Sequence, residues 1–389
     1  MAVRAAEPQP TPIAAEANAV ARHLDYVLLA AVAALVAYGL WVLDAVSRND
    51  VAGNPDYFVL RQGVNVGLGA VALALAAFVN PDSWRGLRKP LYAILLAGLV
   101  LVLVVDQIRG TNRWIDIGFF RFQPSELGKV LVVLVAASFL ADRHREISAW
   151  RTTIGAVALV ALPTLLVFVE PDFGTALVYL AALAAALFVA GTRWPQLAAL
   201  ALAALLAATL VLWILPSAGI EVLRPYQVER ITGFLNTDLD PSGATYNVTQ
   251  SITAVGSGGT GGRGVAGATQ TNLNYLPEHR TDFIFSALAE QRGFLGAALL
   301  LLLFALVAWR GVRTIAIAPN LFGAVVAASL VFALVFQVFV NVGMTIGIAP
   351  VTGIPLPFVS YGGSSMIASL AMIGLLQAIH VRGRMAGRG

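Results

Sequence analysis

Six charged side chains lie close together in segment 270–296 of a chain that is otherwise mostly hydrocarbon: Glu278, His279, Arg280, Asp282, Glu290 and Arg292. The segment directly precedes an apolar run. Because an ionisable side chain left in hydrocarbon costs several kcal/mol, a cluster beside such a run is expected to be functional. Asp282 is the candidate catalytic residue, since a carboxylate can take a proton from a hydroxyl group once a partly dry site raises its pKa. A helix N-terminus and Arg280 would lower that pKa. The alternative interpretation is that Thr281 or Asp282 caps the helix that follows.

A second pair of charges is formed by Glu126 and Lys129, which follow Pro124 in the sequence QPSELGK. On a helix this three-residue spacing places both side chains on one face, and the proline is typical of a first helical turn. The pair is either a buried ion pair that locks helices together or a site at which Lys129 binds a phosphate. Arg113 and Trp114, just upstream, are either an anchor at the membrane interface or a substrate contact.

Two motifs in the polar segment 217–292 resemble ligand-binding patterns loosely. The glycine-rich run 256–264 lacks the spacing of a phosphate-binding loop. It is interpreted as a flexible or closely packing segment, with the wall of a substrate groove as the functional alternative. The sequence Asp238-Leu239-Asp240 is interpreted as part of a turn before Pro241 rather than as a metal-binding motif, and Arg230 as a solvated charge. The chain has no cysteine and only four scattered histidines, so no protein metal site is expected.

Composition excludes an ordinary soluble protein. The 389 residues are 58% hydrophobic and 12% charged, whereas soluble domains carry about 25% charged residues. The sequence therefore predicts an all-α integral membrane protein. The pI of about 9.6 is attributed to arginines that anchor cytoplasmic loops, and no nucleic-acid partner is expected.

About ten transmembrane helices are predicted, because spanning a bilayer takes about 20 apolar residues. They lie near 24–46, 59–80, 91–106, 125–141, 152–169, 173–191, 195–216, 294–309, 321–345 and 362–381. The run 152–191 is divided at Glu170-Pro171-Asp172, since a proline between two acids does not fit a bilayer centre.

Arginine placement sets the predicted orientation. Most lysines and arginines of the short loops fall on one side if both termini are cytoplasmic. The predicted organisation is a disordered cytoplasmic tail over 1–23, a single polytopic membrane domain over 24–382 and a cytoplasmic tail over 383–389. One long extracytoplasmic loop, 217–292, then joins spans 7 and 8. The apolar composition and the basic loops also make membrane lipid a partner.

Five sequence blocks together resemble the SEDS family (shape, elongation, division, sporulation). They are QPSEL-x-K, EPDFGTA, the glycine-rich GSGG stretch, LPEHRTDFIF-x-x-x-AE-x-x-GF-x-G and PVTGIPLPF-x-SYGGSS, in the family's order, and the resemblance covers nearly all of 24–382. The last block is most similar to the elongation branch, RodA.

The resemblance implies a peptidoglycan glycosyltransferase in the bacterial cell membrane. Such an enzyme polymerises lipid II at the outer face during cell elongation, releases a polyprenyl pyrophosphate and works with a class B penicillin-binding protein. The family's essential loop acid falls on Asp282. Glu126, Lys129, Arg113 and Trp114 match positions tied to function, and His279 and Arg280 are further candidates for substrate binding. Many relatives have the last two residues in reverse order. Glu170 stands where relatives often have glutamine, and no role is assigned to it.

Three alternatives remain open at this level: a lipid II flippase, a division-branch polymerase similar to FtsW, and a scaffold without chemistry. The ionisable residues collect near the predicted outer edge rather than along a path through the spans, which favours the enzyme over the flippase. No cofactor is evident from the sequence. A divalent cation, Mg or Mn, is left open as a means of holding the pyrophosphate.

Overall fold

The computed structural model describes residues 20–48, 50–105, 113–116, 118, 120–220, 227–228, 230 and 244–387. Within those ranges the long helices are α1 (Tyr26–Ser47), α2 (Tyr57–Phe78), α4 (Arg88–Val104), α5 (Pro124–Asp142), α6 (Trp150–Val169), α7 (Phe173–Ala190), α8 (Trp194–Ser217), α12 (Ile284–Ala316), α13 (Leu321–Thr345) and α14 (Gly363–Ala386). The shorter elements are α3 (Pro81–Gly86), α9 (Ala244–Ser257), α10 (Gly264–Gly267), α11 (Thr269–Asn272) and an antiparallel hairpin of β1 (Ile115–Asp116) and β2 (Arg121–Phe122).

The prediction of an all-α integral membrane protein is confirmed. In the described part of the chain nine helices are long and apolar enough to cross a bilayer. The remaining predicted span, 91–106, corresponds to α4, which is also apolar and has 17 residues from Arg88 to Val104. The predicted break at Glu170-Pro171-Asp172 is present as well, because α6 ends at Val169 and α7 begins at Phe173.

Two helices form the centre of the bundle. In the apolar stretch of α14, 89% of the residues are buried inside the protein, and in that of α5 83% are buried. In α8 the corresponding share is 0%. Helix α14 packs along α2, and α13 packs against both α7 and α12. Leu28, Leu35 and Leu43 of α1 are fully enclosed, so the first span is part of the core and not a detached anchor.

Successive spans run antiparallel and leave a polar network at each end of the bundle. At one end Arg310 donates to both carboxylate oxygens of Asp25, at 2.8 and 3.1 Å, and Gln377 exchanges two hydrogen bonds with the Asp25 backbone. These contacts join the start of α1 to the ends of α12 and α14. The opposite end, called the site end below, contains the loops before α5, α7, α12 and α14.

Two boundaries differ from those expected. Helix α12 begins at Ile284, ten residues before the predicted span, because residues 284–292 fold as a separate helical piece before a backbone break at Gly293. The last helix continues to Ala386, so the segment 383–389 drawn as a tail is helical over its first residues. Of the predicted disordered tail 1–23, residues 1–19 lie outside the described ranges, and residues 20–23 are helical, so the prediction is wrong for those four residues.

Candidate active site

Asp282 lies at the site end, where the chain enters α12, and its backbone is held from two sides. Asn341 of α13 donates to the Asp282 carbonyl at 2.9 Å and to the Ile354 carbonyl at 2.8 Å. Ser360 donates to the Thr281 carbonyl at 2.6 Å. Helix α13 and the loop before α14 therefore hold the backbone that carries the Asp282 carboxylate. Ser360 lies in the loop between α13 and α14, so this loop belongs to the support of the site.

The helix-capping interpretation of this acid is wrong. The N-cap of α12 is Phe283, and no side chain in the described residues makes the capping hydrogen bond. Thr281 instead donates to the Glu278 side chain at 2.9 Å. Asp282 is consequently available for another role.

The Asp282 carboxyl is partly enclosed and has an altered acidity. Burial, followed by the negative charge of Glu278 and a smaller effect of Asp172, raises its pKa to about 6, while Arg230 and Arg113 act in the opposite direction. Burial therefore outweighs the nearby cations, a balance the sequence left open. At pH 7 about nine-tenths of such carboxyls are ionised, yet the group is more basic than an ordinary aspartate.

Arg230 lies next to this carboxylate and not in open solvent. A Cβ placed on Gly353 would lie 3.5 Å from Asp282 Oδ2 and 3.6 Å from Arg230 NH1, so both groups lie against the same glycine. The expectation of a solvated charge is wrong for this residue. Nothing in the local sequence around Arg230 indicates the contact, because it depends on a loop more than a hundred positions away.

Arg113 and Trp114 both lie at the site end. Arg113 Nε donates to the Glu170 carbonyl oxygen at 3.1 Å. The positive charge of its guanidinium acts to lower the pKa of both the Glu170 and the Asp282 carboxyl. Trp114 lines a groove of about 620 Å³. The structure thus brings Arg113 to the candidate catalytic carboxylate and places Trp114 beside it.

The groove combines cationic and apolar walls. It is lined by Tyr57, Phe58, Arg61, Val64, Asn65, Leu68, Trp114, Gly118, Phe120, Arg121, Glu278, Arg280, Thr281, Tyr361, Gly362 and Gly363. Arg61, Arg121 and Arg280 supply its positive charge, and Val64 and Leu68 continue it down an exposed apolar face of α2. Asp282 is adjacent through Thr281. The groove is suited to a molecule with an anionic head and an aliphatic tail.

His279 and Arg280 share a partner that sequence reasoning missed. His279 Nε2 lies 3.2 Å from both carboxylate oxygens of Asp50, and Arg280 NH1 donates to Asp50 Oδ2 at 2.6 Å while its guanidinium lies 4.2 Å from the Phe58 ring centre. Burial opposes ionisation of Asp50, but the hydrogen bonds and charges of these two side chains prevail and lower its pKa. His279 is enclosed, whereas Arg280 reaches the groove.

Glu126 and Lys129 form the buried ion pair that was one of their two interpretations. Lys129 Nζ donates to both Glu126 oxygens, at 2.7 and 2.8 Å, and to Gln337 Oε1 of α13 at 2.7 Å. The Lys129 side chain is 2% exposed and the Glu126 side chain is 4% exposed. An ammonium group has three N–H bonds, and all three have partners here. The geometry therefore favours the helix-locking interpretation over a phosphate contact.

The loop between α6 and α7 places two acids beside Arg113. Asp172 accepts hydrogen bonds from Gln123 at 2.8 Å and Ser125 at 3.2 Å, and it caps α7 through the Thr175 N–H. Glu170 is fully enclosed. Burial and then the charge of Asp172 raise the Glu170 pKa to about 9, against the opposing charge of Arg113.

The glycine-rich run 256–264 packs against the break in α12. Phe294 N–H donates to the Gly259 carbonyl at 2.8 Å, and Arg263 N–H donates to the Glu290 carbonyl at 2.9 Å. A Cβ on Gly262 would collide with the Gln291 carbonyl oxygen. The run supplies backbone partners that the broken helix lacks, which explains the glycines without a bound phosphate.

No group of three or more His, Asp or Glu side chains in the described ranges is arranged to hold a metal ion. The Asp238-Leu239-Asp240 sequence lies outside those ranges. The site end thus combines two carboxyl groups of raised pKa, Asp282 and Glu170, with flanking arginines and an amphipathic groove, all at one end of a helical bundle. Together these features define a polytopic membrane protein whose site suits an anionic, lipid-linked substrate.

The chain belongs to the FtsW/RodA/SpoVE family, described as "Cell cycle protein", whose profile matches residues 24–385. It is 37% identical over 369 residues to the peptidoglycan glycosyltransferase MrdB of Escherichia coli, covering 94% of this chain and 96% of that protein. It is 38% identical over 324 residues to the stage V sporulation protein E of Bacillus subtilis, covering 82% and 86%.

Solved structures show the same architecture. A chain of a peptidoglycan synthase complex, studied for the coordination of polymerization and crosslinking, matches with a TM-score of 0.76 and 35% identity over 92% of this chain and 98% of its own. The rod shape determining protein RodA of Thermus thermophilus matches with a TM-score of 0.66 and 32% identity, covering 92% and 96%. The resemblance inferred from the five sequence blocks is confirmed.

Proposed function

We propose that this chain polymerises lipid II into glycan strands, with Asp282 as the general base. The chain is a peptidoglycan glycosyltransferase of the kind its relatives are named for. In the proposed reaction the acceptor's GlcNAc 4-hydroxyl oxygen forms a bond to the donor's MurNAc C1. The bond from C1 to the pyrophosphate oxygen breaks, and the hydroxyl proton passes to Asp282.

The placement of the Asp282 carboxylate carries this proposal. A sugar hydroxyl is scarcely acidic, so a positioned base must accept its proton during attack. Asp282 is fixed through Asn341 and Ser360, is partly accessible, and has a pKa of about 6. That value leaves the group ionised near neutral pH and still basic enough to take a proton.

The departing polyprenyl pyrophosphate needs positive charge. Arg113, whose charge reaches Asp282, and Arg280, which lines the groove, are suited to neutralise the developing anion. The apolar side of the groove along Val64 and Leu68 would accommodate the lipid chain. Among the described residues no cluster of acids is arranged to hold a metal ion, and the need for a divalent cation (Mg or Mn) is measured in the assay below.

The orientation of the protein follows from the substrate and the arginine distribution. Both termini are cytoplasmic, and the site end with the segment 217–292 faces the cell exterior. Arg85 and Arg88, which both pair with Asp142 at 2.7 Å, then lie at the cytoplasmic surface, as the positive-inside rule requires.

A class B penicillin-binding protein is the proposed partner, and elongation is the proposed process. Support comes from the likeness to a chain of a synthase complex that both polymerises and crosslinks and to RodA. FtsW relatives such as that of Idiomarina loihiensis, at 33% identity, give the division branch less support. Complementation of a strain lacking its elongation polymerase would test the process.

The experiment is lipid II polymerisation by the purified protein in liposomes, with and without divalent cation. Asp282→Asn keeps the side-chain shape and removes the base, and we expect it to lower the rate by about 10²–10⁴-fold. Asp44→Asn is the matched control, because Asp44 pairs with the exposed Arg48 one helical turn away on the same helix. An Asp282→Asn protein that folds and polymerises at the normal rate would refute the assignment.

The flippase alternative is tested in the same liposomes with fluorescent lipid II. In the described part of the chain the buried charged groups lie at the helix ends, as with Glu126 and Lys129 in the first turns of α5 and Asp25 before α1. A transporter would need such groups along its path. We expect polymerisation without translocation, and translocation without polymer would reverse the conclusion.

A further inference from the structure

Glu170 is the buried acid for which the proposed mechanism has no use. It follows the last residue of α6 and is 0% exposed. Neither carboxyl oxygen has a hydrogen-bond partner among the residues that the structure describes. The neighbouring Asp172 differs, since it accepts bonds from Gln123 and Ser125. Two acids two positions apart thus have opposite environments.

A dry, unpartnered environment favours the uncharged form of a carboxyl group. Burying an isolated carboxylate is so costly that such a group normally takes up a proton. Burial and the negative charge of Asp172 together raise the Glu170 pKa to about 9. At neutral pH the side chain is then a carboxylic acid and adds no charge to the site.

The position of Glu170 links it to the groups of the reaction. Its carbonyl oxygen accepts the Arg113 Nε hydrogen bond at 3.1 Å. Helix α7, which follows Glu170, begins against the loop before α14, because a Cβ on Gly174 would lie 3.0 Å from the Thr352 carbonyl oxygen. Gly353 of the same loop lies against Asp282. Arg113 is therefore shared between the enclosed acid and the catalytic carboxylate.

We propose that Glu170 is a positioning residue that works as a neutral acid, filling the space beside Arg113 without pairing with it. This inference rests on the proposed polymerase function. An ionised Glu170 would be a second anion next to the guanidinium and would compete with the pyrophosphate for its charge. The proton on Glu170 keeps that charge available to the leaving group, while the backbone carbonyl holds the arginine in place.

The charged and titratable groups near Glu170 come from three elements. Arg113 precedes β1 and Asp172 precedes α7. Tyr179 of α7, whose hydroxyl donates to the Ser125 carbonyl, lies near enough to sense Glu170, Asp172 and Glu126. A substitution of Glu170 leaves all of these in place, so a difference between variant and parent reports on this one carboxyl.

The first test measures protonation directly in the full-length protein in nanodiscs. Infrared spectra of wild type labelled with ¹³C-carboxyl glutamate should show, at pH 7, an isotope-shifted C=O band of a protonated acid that disappears as pH rises through about 9. Glu126 and Glu290, the other glutamates buried within the described ranges, accept hydrogen bonds on their carboxylate oxygens. A spectrum without the labelled band at pH 7 overturns the proposal, and this test needs no variant.

The second test separates charge from bulk. Glu170→Ala should lower lipid II polymerisation at least tenfold, and Glu170→Gln, the neutral conservative variant, should rescue most of that loss. Above about pH 9 the wild-type rate should fall about tenfold per pH unit as Glu170 ionises, while the glutamine variant should not show this fall. Glu146→Gln, at an exposed pair with Arg151, is the control and should follow the wild-type profile.

The outcomes distinguish this inference from the function on which it rests. If wild type makes no polymer, the proposed function fails, and the infrared band still decides the state of Glu170. One contrary outcome is that wild type polymerises while Glu170→Gln shows the same decrease in rate above about pH 9, and another is that wild type polymerises while Glu170→Gln is as inactive as Glu170→Ala. In either case the role given to Glu170 is wrong, and the role given to Asp282 is unaffected.

Discussion

Removing Lys129 alone should cost much of the stability of the bundle. The side chains of Lys129 and Glu126 are 2% and 4% exposed, and the ammonium group also donates to Gln337. Lys129→Met would leave Glu126 as an enclosed charge without its cation. Breaking a buried pair in this way costs about 3–5 kcal/mol, which corresponds to a change of roughly 10²–10⁴-fold in the folded-to-unfolded ratio.

The double variant Glu126→Gln/Lys129→Met is the matched comparison, because it removes both charges together. It should recover most of the loss and unfold within about 1.5 kcal/mol of wild type, since replacing a buried ion pair by neutral groups is often nearly neutral. The assay is equilibrium unfolding in mixed micelles with increasing sodium dodecyl sulfate, followed by lipid II polymerisation at matched folded fractions.

Activity of the double variant decides between the two interpretations of the pair. A helix-locking role predicts that the stable double variant polymerises lipid II. If Lys129 binds the pyrophosphate, the double variant is folded but inactive. A Lys129→Met protein as stable as wild type would refute the reasoning from enclosure and pairing altogether.

Three further predictions follow from the contacts of the site end. Arg230→Gln removes the cation beside Asp282 and should raise the pKa of that carboxyl. With the pKa at about 6, we expect the wild-type polymerisation rate to fall as pH drops through that value and the rate of the variant to begin falling at higher pH; an unchanged decrease at low pH in a pH–rate profile would contradict this. Gly262→Ala should lower the free energy of unfolding by more than about 2 kcal/mol, because the residue has a φ of +83° and no room for a Cβ, whereas Gly256→Ala, in open space within a helix, should gain about 0.5–1 kcal/mol; equal effects in the same unfolding assay would be inconsistent with the packing described. Asp50→Asn should cost about 1–3 kcal/mol at neutral pH. Since the native pKa of this acid is lowered, its contribution exists above its ordinary value and is lost as pH falls through the lowered one, so a cost that persists at acid pH would count against the ion pair.

The spans were predictable because each is a long apolar run with its own ends. The division at Glu170-Pro171-Asp172 was predictable because a proline between two acids does not fit a bilayer centre. The start of α12 was not, because Glu290 and Arg292 resemble loop residues in sequence. Glu290 accepts two backbone N–H bonds from residues 270–271, and Arg292 lies 3.7 Å from the Trp41 ring centre, so tertiary contacts satisfy both.

The site was predictable where a local motif carried it. Asp282 and Arg113 were both candidates, and the structure places them within electrostatic reach of each other. Asp50 was missed because its partners are about 230 positions away, and no local pattern encodes such a pairing. Glu170 was set aside because its identity departs from the family pattern, and only its enclosure reveals an unusual state.

The interruption at Gly293 divides α12 into two rods with different attachments. The upper rod, 284–292, is fastened to the catalytic loops and to residues 270–271, whereas the lower rod, 294–316, packs beside α1 and α13. The carbonyl oxygens of Gly259 and Thr260 accept hydrogen bonds from the first two N–H groups of the lower rod and so stabilise the backbone break. Tilting the lower rod relative to the upper rod would break these two hydrogen bonds, so the glycine-rich run restricts the angle at Gly293 between the membrane-embedded helix and the segment that follows Asp282.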